Sequence, residues 1–198
     1  MSIRQHDHED LPDFSRRNLL KLAGMAMTIG SLGVLAPERA FAAGNTTLVL
    51  YYSKTGHTEE LARYIQKKTN ADMAQISPVT PYPSDYDETV RISRLELLTG
   101  RRNPVQPLSV RLQQYDSIFL GTPLWWGTLA VPVLQLLTQH PLEGKRVLPF
   151  STNAGGNRDK IFDDLLLLCP KADVHAPLAL RAGELQRAQG KVDAWIRG

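Results

Sequence analysis

A single cysteine, Cys169, stands in a chain of 198 residues. That count excludes an intramolecular disulfide even in an oxidising compartment and leaves no Cys pair for a structural zinc site. Cys169 follows four leucines and precedes Pro170, the setting of a buried small hydrophobe at a helix end rather than of a nucleophile. Histidine is also scarce. His57, His140 and His175 lack ligand spacing, and His6 and His8, beside Asp7 and Glu9, fall in a segment expected to be removed, so no metal is expected. GxxxxGK[ST] and GxGxxG are absent, which excludes a Walker phosphate loop and a dinucleotide fingerprint. No Ser/His/Asp or Cys/His nucleophile set, and no carboxylate pair in a predicted ligand loop, argues for hydrolytic or glycosidic chemistry. Charge of one sign is lacking too. Lys and Arg number 23 against 20 Asp and Glu, and that balance is too mild and scattered for nucleic-acid binding, with Arg101-Arg102 read as a solvated loop pair.

Long apolar runs are missing as well. The apolar run of the leader, 22–36, falls short of the roughly 20 residues of a membrane span and is closed by Pro37, Glu38 and Arg39. Ahead of it stand Arg16 and Arg17, and after it Ala40-Phe41-Ala42, a small-x-small cleavage pattern. Residues 1–42 therefore read as a twin-arginine (Tat) signal peptide, with a retained signal anchor as the alternative, and residues 43–198 as one domain. The leader resembles signals of the pathway that exports folded proteins, which implies the Tat machinery as a partner, a periplasmic or otherwise exported destination, and a cofactor acquired before export. Cleavage removes five basic and five acidic residues, so the mature chain keeps a net charge of +3.

With 42% hydrophobic residues, the domain has enough apolar side chains for a sizeable core. Strands are expected at 47–52, 72–76, 117–120, 146–150 and 174–180, the last interrupted by Pro177. Helices are expected from Thr58 onward, at 84–98 with Val90, Ile92, Leu95 and Leu98 as buried positions, and at 131–139 with Pro132 in the first turn. Another is expected after an Asn157 cap, carrying Ile161, Phe162, Leu165, Leu166 and Cys169, and a last at 184–196, with Leu185, Ala188, Val192 and Trp195 on one face. Five βα units imply an α/β fold, a three-layer doubly wound five-stranded parallel sheet. Ligands then bind beyond the carboxyl ends of the strands.

Three loops fall at that edge. The first, Ser53, Lys54, Thr55, Gly56, His57 and Thr58, carries hydroxyls and a glycine into a helix N-terminus, where unpaired N–H groups favour a phosphate. An ordinary turn with Thr58 as N-cap fits the same residues. The second, GTPLWWGT at 121–128, offers two indoles. The third, STNAGGN at 151–157, offers small residues with free backbone N–H groups. A phosphate, a flat aromatic group and main-chain partners for polar ring edges describe flavin mononucleotide (FMN).

These loops, with PYPSDY at 81–86, IFLGTPLWWGT at 118–128, LPFSTNAGG at 148–156 and LALRAGE at 178–184, resemble the flavodoxin superfamily, most closely its flavodoxin-like branch with a TPxWWG loop. By that resemblance Ser53 to Thr58 bind the FMN phosphate. Pro123, Leu124, Trp125, Trp126 and Gly127 line the isoalloxazine, while Thr152, Asn153, Ala154, Gly155 and Gly156 approach its pyrimidine edge. One indole stacks on the ring and the other is core; the residues do not say which. Lys54 is read as solvent-facing rather than as a phosphate counter-charge. The resemblance also implies that the peptide beside Gly127 reorients on reduction. Related chains commonly carry histidine at the position of Asn153, and an amide there does not titrate near pH 7.

The expected function is that of an exported FMN-binding electron carrier with a redox partner protein. The alternatives are an NAD(P)H-dependent quinone or azo reductase, and a non-redox binding module that has lost FMN.

Overall fold

A computed structural model describes residues 46–155 and 160–198. The leader with its cleavage site, Gly156 and the Asn157 cap lie outside the described residues.

The first strand, β1 (Thr47–Tyr51), is apolar on both faces because it is central. It pairs in parallel with β2 (Asp72–Gln75) on one side and with β3 (Ser117–Trp125) on the other. β3 continues in parallel to β5 (Arg146–Asn153), and β5 carries both β6 (Asp173–Val174) and β7 (Leu178–Arg181) on its outer side. The order is therefore β2-β1-β3-β5 with a fifth position filled in two pieces. Val147 pairs with Val174 and Phe150 with Leu178, so the outer strand spends one extra residue where Pro177 has no N–H to give. β4 (Thr128–Leu129) is an antiparallel addition to β3 that the sequence reading missed.

Helices α1 (His57–Thr69) and α5 (Leu185–Arg197) cover one face, where Leu61, Ile65, Val192 and Ile196 pack on Val49, Phe119 and Phe150. The other face carries α3 (Val131–Gln139) and α4 (Ile161–Leu168), whose Val133, Leu134, Ile161 and Leu165 meet Leu50, Ile118 and Leu120. The expected three-layer α/β architecture is present, with the Tyr51, Trp125 and Asn153 ends of β1, β3 and β5 at one edge.

α2 (Tyr86–Thr99) departs from expectation. Asp85 caps it, accepting from the Glu88 N–H at 2.7 Å, and Gly100 ends it at φ +69°. Its buried residues are Thr89, Ser93 and Glu96, whereas Leu95 and Leu98 face outward and Val90 and Ile92 are half-buried. The apolar spacing chose the wrong stripe because this helix turns hydrogen-bonding groups inward, toward Tyr82, Trp126 and Asn103.

Candidate functional site

After β1 the chain turns so that the Gly56 N–H donates to Ser53 Oγ at 3.1 Å, and Gly56 itself takes φ +92°, a conformation that strains any side chain. α1 then begins at His57 with no side-chain cap. Its opening N–H groups lack the intrahelical partners of later turns and face the positive end of the helix dipole. Thr58 is not the N-cap. It sits one residue inside the helix, buried, with its hydroxyl 2.7 Å from Thr152 Oγ1. Ser53 and Lys54 are half-buried; Thr55, Gly56 and His57 are exposed.

β3 extends beyond its expected end. At Gly121 a Cβ would stand 2.3 Å from Cζ of the Phe150 ring, so only glycine fits there. Trp126 (φ +57°) and Gly127 (φ +76°) form the two-residue turn that joins β3 to β4, with Trp125 opposite Thr128. Two consecutive positive φ values define the hairpin turn whose twist matches the strands, and they put a bulky side chain where one is rarely found. Neighbouring elements hold the turn. Trp126 Nε1 donates to Ser93 Oγ at 3.1 Å, the Arg94 guanidinium lies over the Trp126 ring at 5.6 Å, and the Lys160 N–H donates to the Gly127 carbonyl at 3.1 Å. Thr128 Oγ1 donates to the buried Asp164 carboxylate. The Gly127 carbonyl is thus engaged, and reorientation of its peptide has to break the bond to Lys160.

The two indoles are not equivalent. Trp125 packs on the α3/α4-side core, edge-on to Tyr52 (5.6 Å) and Tyr82 (5.1 Å). Pro123 lies opposite Thr152 in β5, and Leu124 packs on the same core.

In the third loop, Asn153 Oδ1 accepts from the Gly155 N–H at 3.0 Å and its carbonyl from the Ala182 N–H at 2.8 Å. Gly155 has φ +115°, and it and Ala154 are exposed. Just before it, the fully buried Ser151 hydroxyl finds no partner among the described residues. Buried hydroxyls are ordinarily satisfied, so this group stands out beside the loop. The Thr58–Thr152 bond and the Pro123–Thr152 register bring all three loops together.

One group of residues escaped sequence reasoning. The buried Glu96 carboxylate accepts from the Tyr82 hydroxyl and from the Asn103 N–H at 2.7 Å. Burial first, and the Glu96 charge second, push the Tyr52 hydroxyl well above its ordinary pKa; burial and the bond to Glu96 do the same for Tyr82. Arg102 is half-buried rather than a solvated partner of Arg101, and desolvation lowers its pKa against the opposing attraction of Glu96. PYPSDY marked Tyr82, but nothing in the sequence marks Glu96 as buried. Among the described residues no group of three or more His, Cys, Asp or Glu could hold a metal.

An open parallel sheet covered by helices on both faces, with an uncapped, glycine-opened helix at its carboxyl edge, is the doubly wound α/β class, whose ligands bind at that edge. The flavodoxin family model matches residues 46–197, and the chain belongs to this family. A flavoprotein of Lactobacillus acidophilus solved in complex with FMN is similar at 26% identity and TM-score 0.61, over 77% of this chain and 99% of that one. A Bacteroides uniformis protein described as a candidate flavoprotein shares the fold at 23% identity and TM-score 0.68, over 79% and 100% of the two chains. An NAD(P)H dehydrogenase (quinone) of Azorhizobium caulinodans is 28% identical over 125 residues. The match covers 58% of this chain and 61% of that curated relative's length.

Proposed function

We propose that this flavodoxin-family chain binds FMN across the three loops and serves as an electron carrier between proteins outside the cytoplasm, reaching that compartment through its twin-arginine leader. When bound, FMN supplies reversible uptake of one or two electrons. The chain's own groups do the holding. Ser53, Thr55 and the opening N–H groups of α1 receive the phosphate, with the helix dipole adding to the attraction. Trp125 is committed between Tyr52 and Tyr82, which leaves Trp126 as the indole for the ring. Backbone N–H groups around Asn153 to Gly155 meet its polar edge. The observation that carries this reading is the convergence of the uncapped α1 terminus, the Trp126–Gly127 turn and the unpartnered Ser151 hydroxyl at one sheet edge.

The test is titration of the purified mature chain with FMN, followed by quenching of flavin fluorescence. Binding at one site with a Kd below about 1 μM is expected, equivalent to roughly 8 kcal/mol. Ser151→Ala should move two quantities in opposite directions. The ligand-free protein gains about 1 kcal/mol by losing an unsatisfied buried hydroxyl, while FMN affinity falls. A chain that takes up no FMN overturns the proposal in favour of a non-redox binding module. Export is tested separately by Arg16→Lys with Arg17→Lys, which should retain the protein in the cytoplasm.

The Azorhizobium relative favours a second reading, an NAD(P)H-dependent reductase of quinones or azo compounds on the same site. Rapid anaerobic bleaching of the bound flavin by NAD(P)H would select it over the carrier.

A further inference from the structure

α2 buries the polar Thr89, Ser93 and Glu96 while two of its leucines face outward. Leu95 and Leu98 are 54% and 45% exposed, and Val79, on the segment bonded to Pro104 just beyond the helix, is 54% exposed. Arg91, one turn before Leu95, continues the outward stripe, with Arg94 on its flank and Arg101 just past the helix end, all exposed. Exposed acidic side chains of α2 gather at its start, Asp85 at the N-cap and Asp87 and Glu88 in the first turn. The Glu88–Arg91 contact spans 3.8 Å between side chains 50% and 69% exposed, a pair that solvent screens strongly. Arg94 joins this surface to the site, because its guanidinium lies over the Trp126 ring.

We infer that the outer face of α2 is the docking surface for an acidic redox protein, one that presents carboxylates around a small apolar centre. The inference rests on the electron-carrier reading and names its partner's chemistry. Size selects a transient partner over a second copy. A 14-residue helix is about 21 Å long and 10 Å wide, so one face covers roughly 200 Å², far below the ~800 Å² per partner of a stable dimer but suited to a short-lived electron-transfer encounter. Charge sets the partner's chemistry, since the arginines beyond the first turn attract carboxylates, raising the encounter rate.

The experiment measures binding of the mature chain, both FMN-loaded and FMN-free, to a plant-type [2Fe–2S] ferredoxin as acidic probe and to a basic cytochrome c as control. Backbone amide shifts report the contact surface. Saturable binding of the ferredoxin is expected, with shifts on α2 and the Trp126 turn, weakening ~10-fold or more as salt screens the arginines. Arg91→Glu with Arg94→Glu, and separately Leu95→Ser with Leu98→Ser, should each weaken binding at least about fivefold; Lys67→Glu on α1, across the sheet, should not. Four results overturn the inference: no saturable ferredoxin binding, binding unchanged in both α2 variants, equal binding of the cytochrome, or shifts that avoid α2. Two more do so by assigning the face elsewhere. They are dimerisation by sedimentation that Leu95→Ser abolishes, and binding to phosphatidylglycerol vesicles without binding to the ferredoxin. Because the FMN-free chain is included, loss of the flavin reading shows as failed FMN uptake, apart from any result on docking.

Discussion

Gly121 shows how one missing atom sets the shape of the site. Its φ is unremarkable for any residue, so space alone selects glycine: an added Cβ meets Phe150 Cζ at 2.3 Å, Phe150 Cε2 at 2.5 Å and Tyr51 Cβ at 2.9 Å. Phe150 is fully buried against Trp195 and has no open space to swing into. Gly121→Ala is therefore expected to destabilise the protein by about 2–3 kcal/mol, measured by urea unfolding. Phe150→Leu in the same chain should recover part of the loss, the signature of two residues that share one volume. The same crowding registers β3 against β1 and β5, and β3 carries the Trp126 turn. A fold measurement at Gly121 is thus also a measurement of how firmly the site is placed.

At the scale of elements, α2 is held by a buried carboxylate as well as by Leu97 against the core, and the carboxylate has a pH consequence. The Tyr52 and Tyr82 hydroxyls have folded pKa values raised above the unfolded value of about 10, by burial and by Glu96. Raised pKa values contribute stability that is fully present below pH ~10. That stability is lost as the pH climbs toward the folded values, because only the unfolded chain releases its protons there. Urea midpoints should hold steady from neutrality to about pH 9.5 and then fall, each tyrosine adding up to ~1.4 kcal/mol per pH unit. Tyr52→Phe should flatten that fall. This network also marks the limit of what could be read from sequence. β1, β3 and β5 were legible because continuous apolar runs with β-branched residues have one stable setting, a parallel sheet covered on both faces. The phosphate turn was legible because Ser53, Thr55 and Gly56 stand between strand and helix patterns. The span of α2 was legible too, but its buried face was not, because Leu95 and Leu98 carry the apolar signal while Thr89, Ser93 and Glu96 find hydrogen-bond partners inside. Partners distant in sequence leave no period to detect. β4 and the Trp126 turn were missed for a related reason, since Trp-Gly is an unusual pair for a two-residue hairpin and its strain is offset by Ser93 and α4.

For the whole molecule, the relevant quantity is the mean charge around the site. The chain carries +3, with or without residues 1–42, whereas flavodoxins that carry electrons are typically strongly acidic. A positive surface favours the more negative, reduced state of a bound flavin, so the reduction potential should lie above those of acidic flavodoxins. Salt should lower it by screening that attraction, opposite in sign to the shift expected for an acidic carrier. Spectroelectrochemical titration at low and high ionic strength checks the sign directly.

Cys169 lies at the end of α4, fully buried, with burial pushing its thiol up to about 12. As the chain's one sulfhydryl, and one that stays shielded while the protein is closed, it is a natural clock for opening motions. An alkylating reagent at neutral pH can mark it only when the region around α4 and β5 comes apart, so the rate of marking counts openings. Comparing that rate with and without FMN would show how far the cofactor's grip reaches from the binding edge into the body of the protein, with no engineered label.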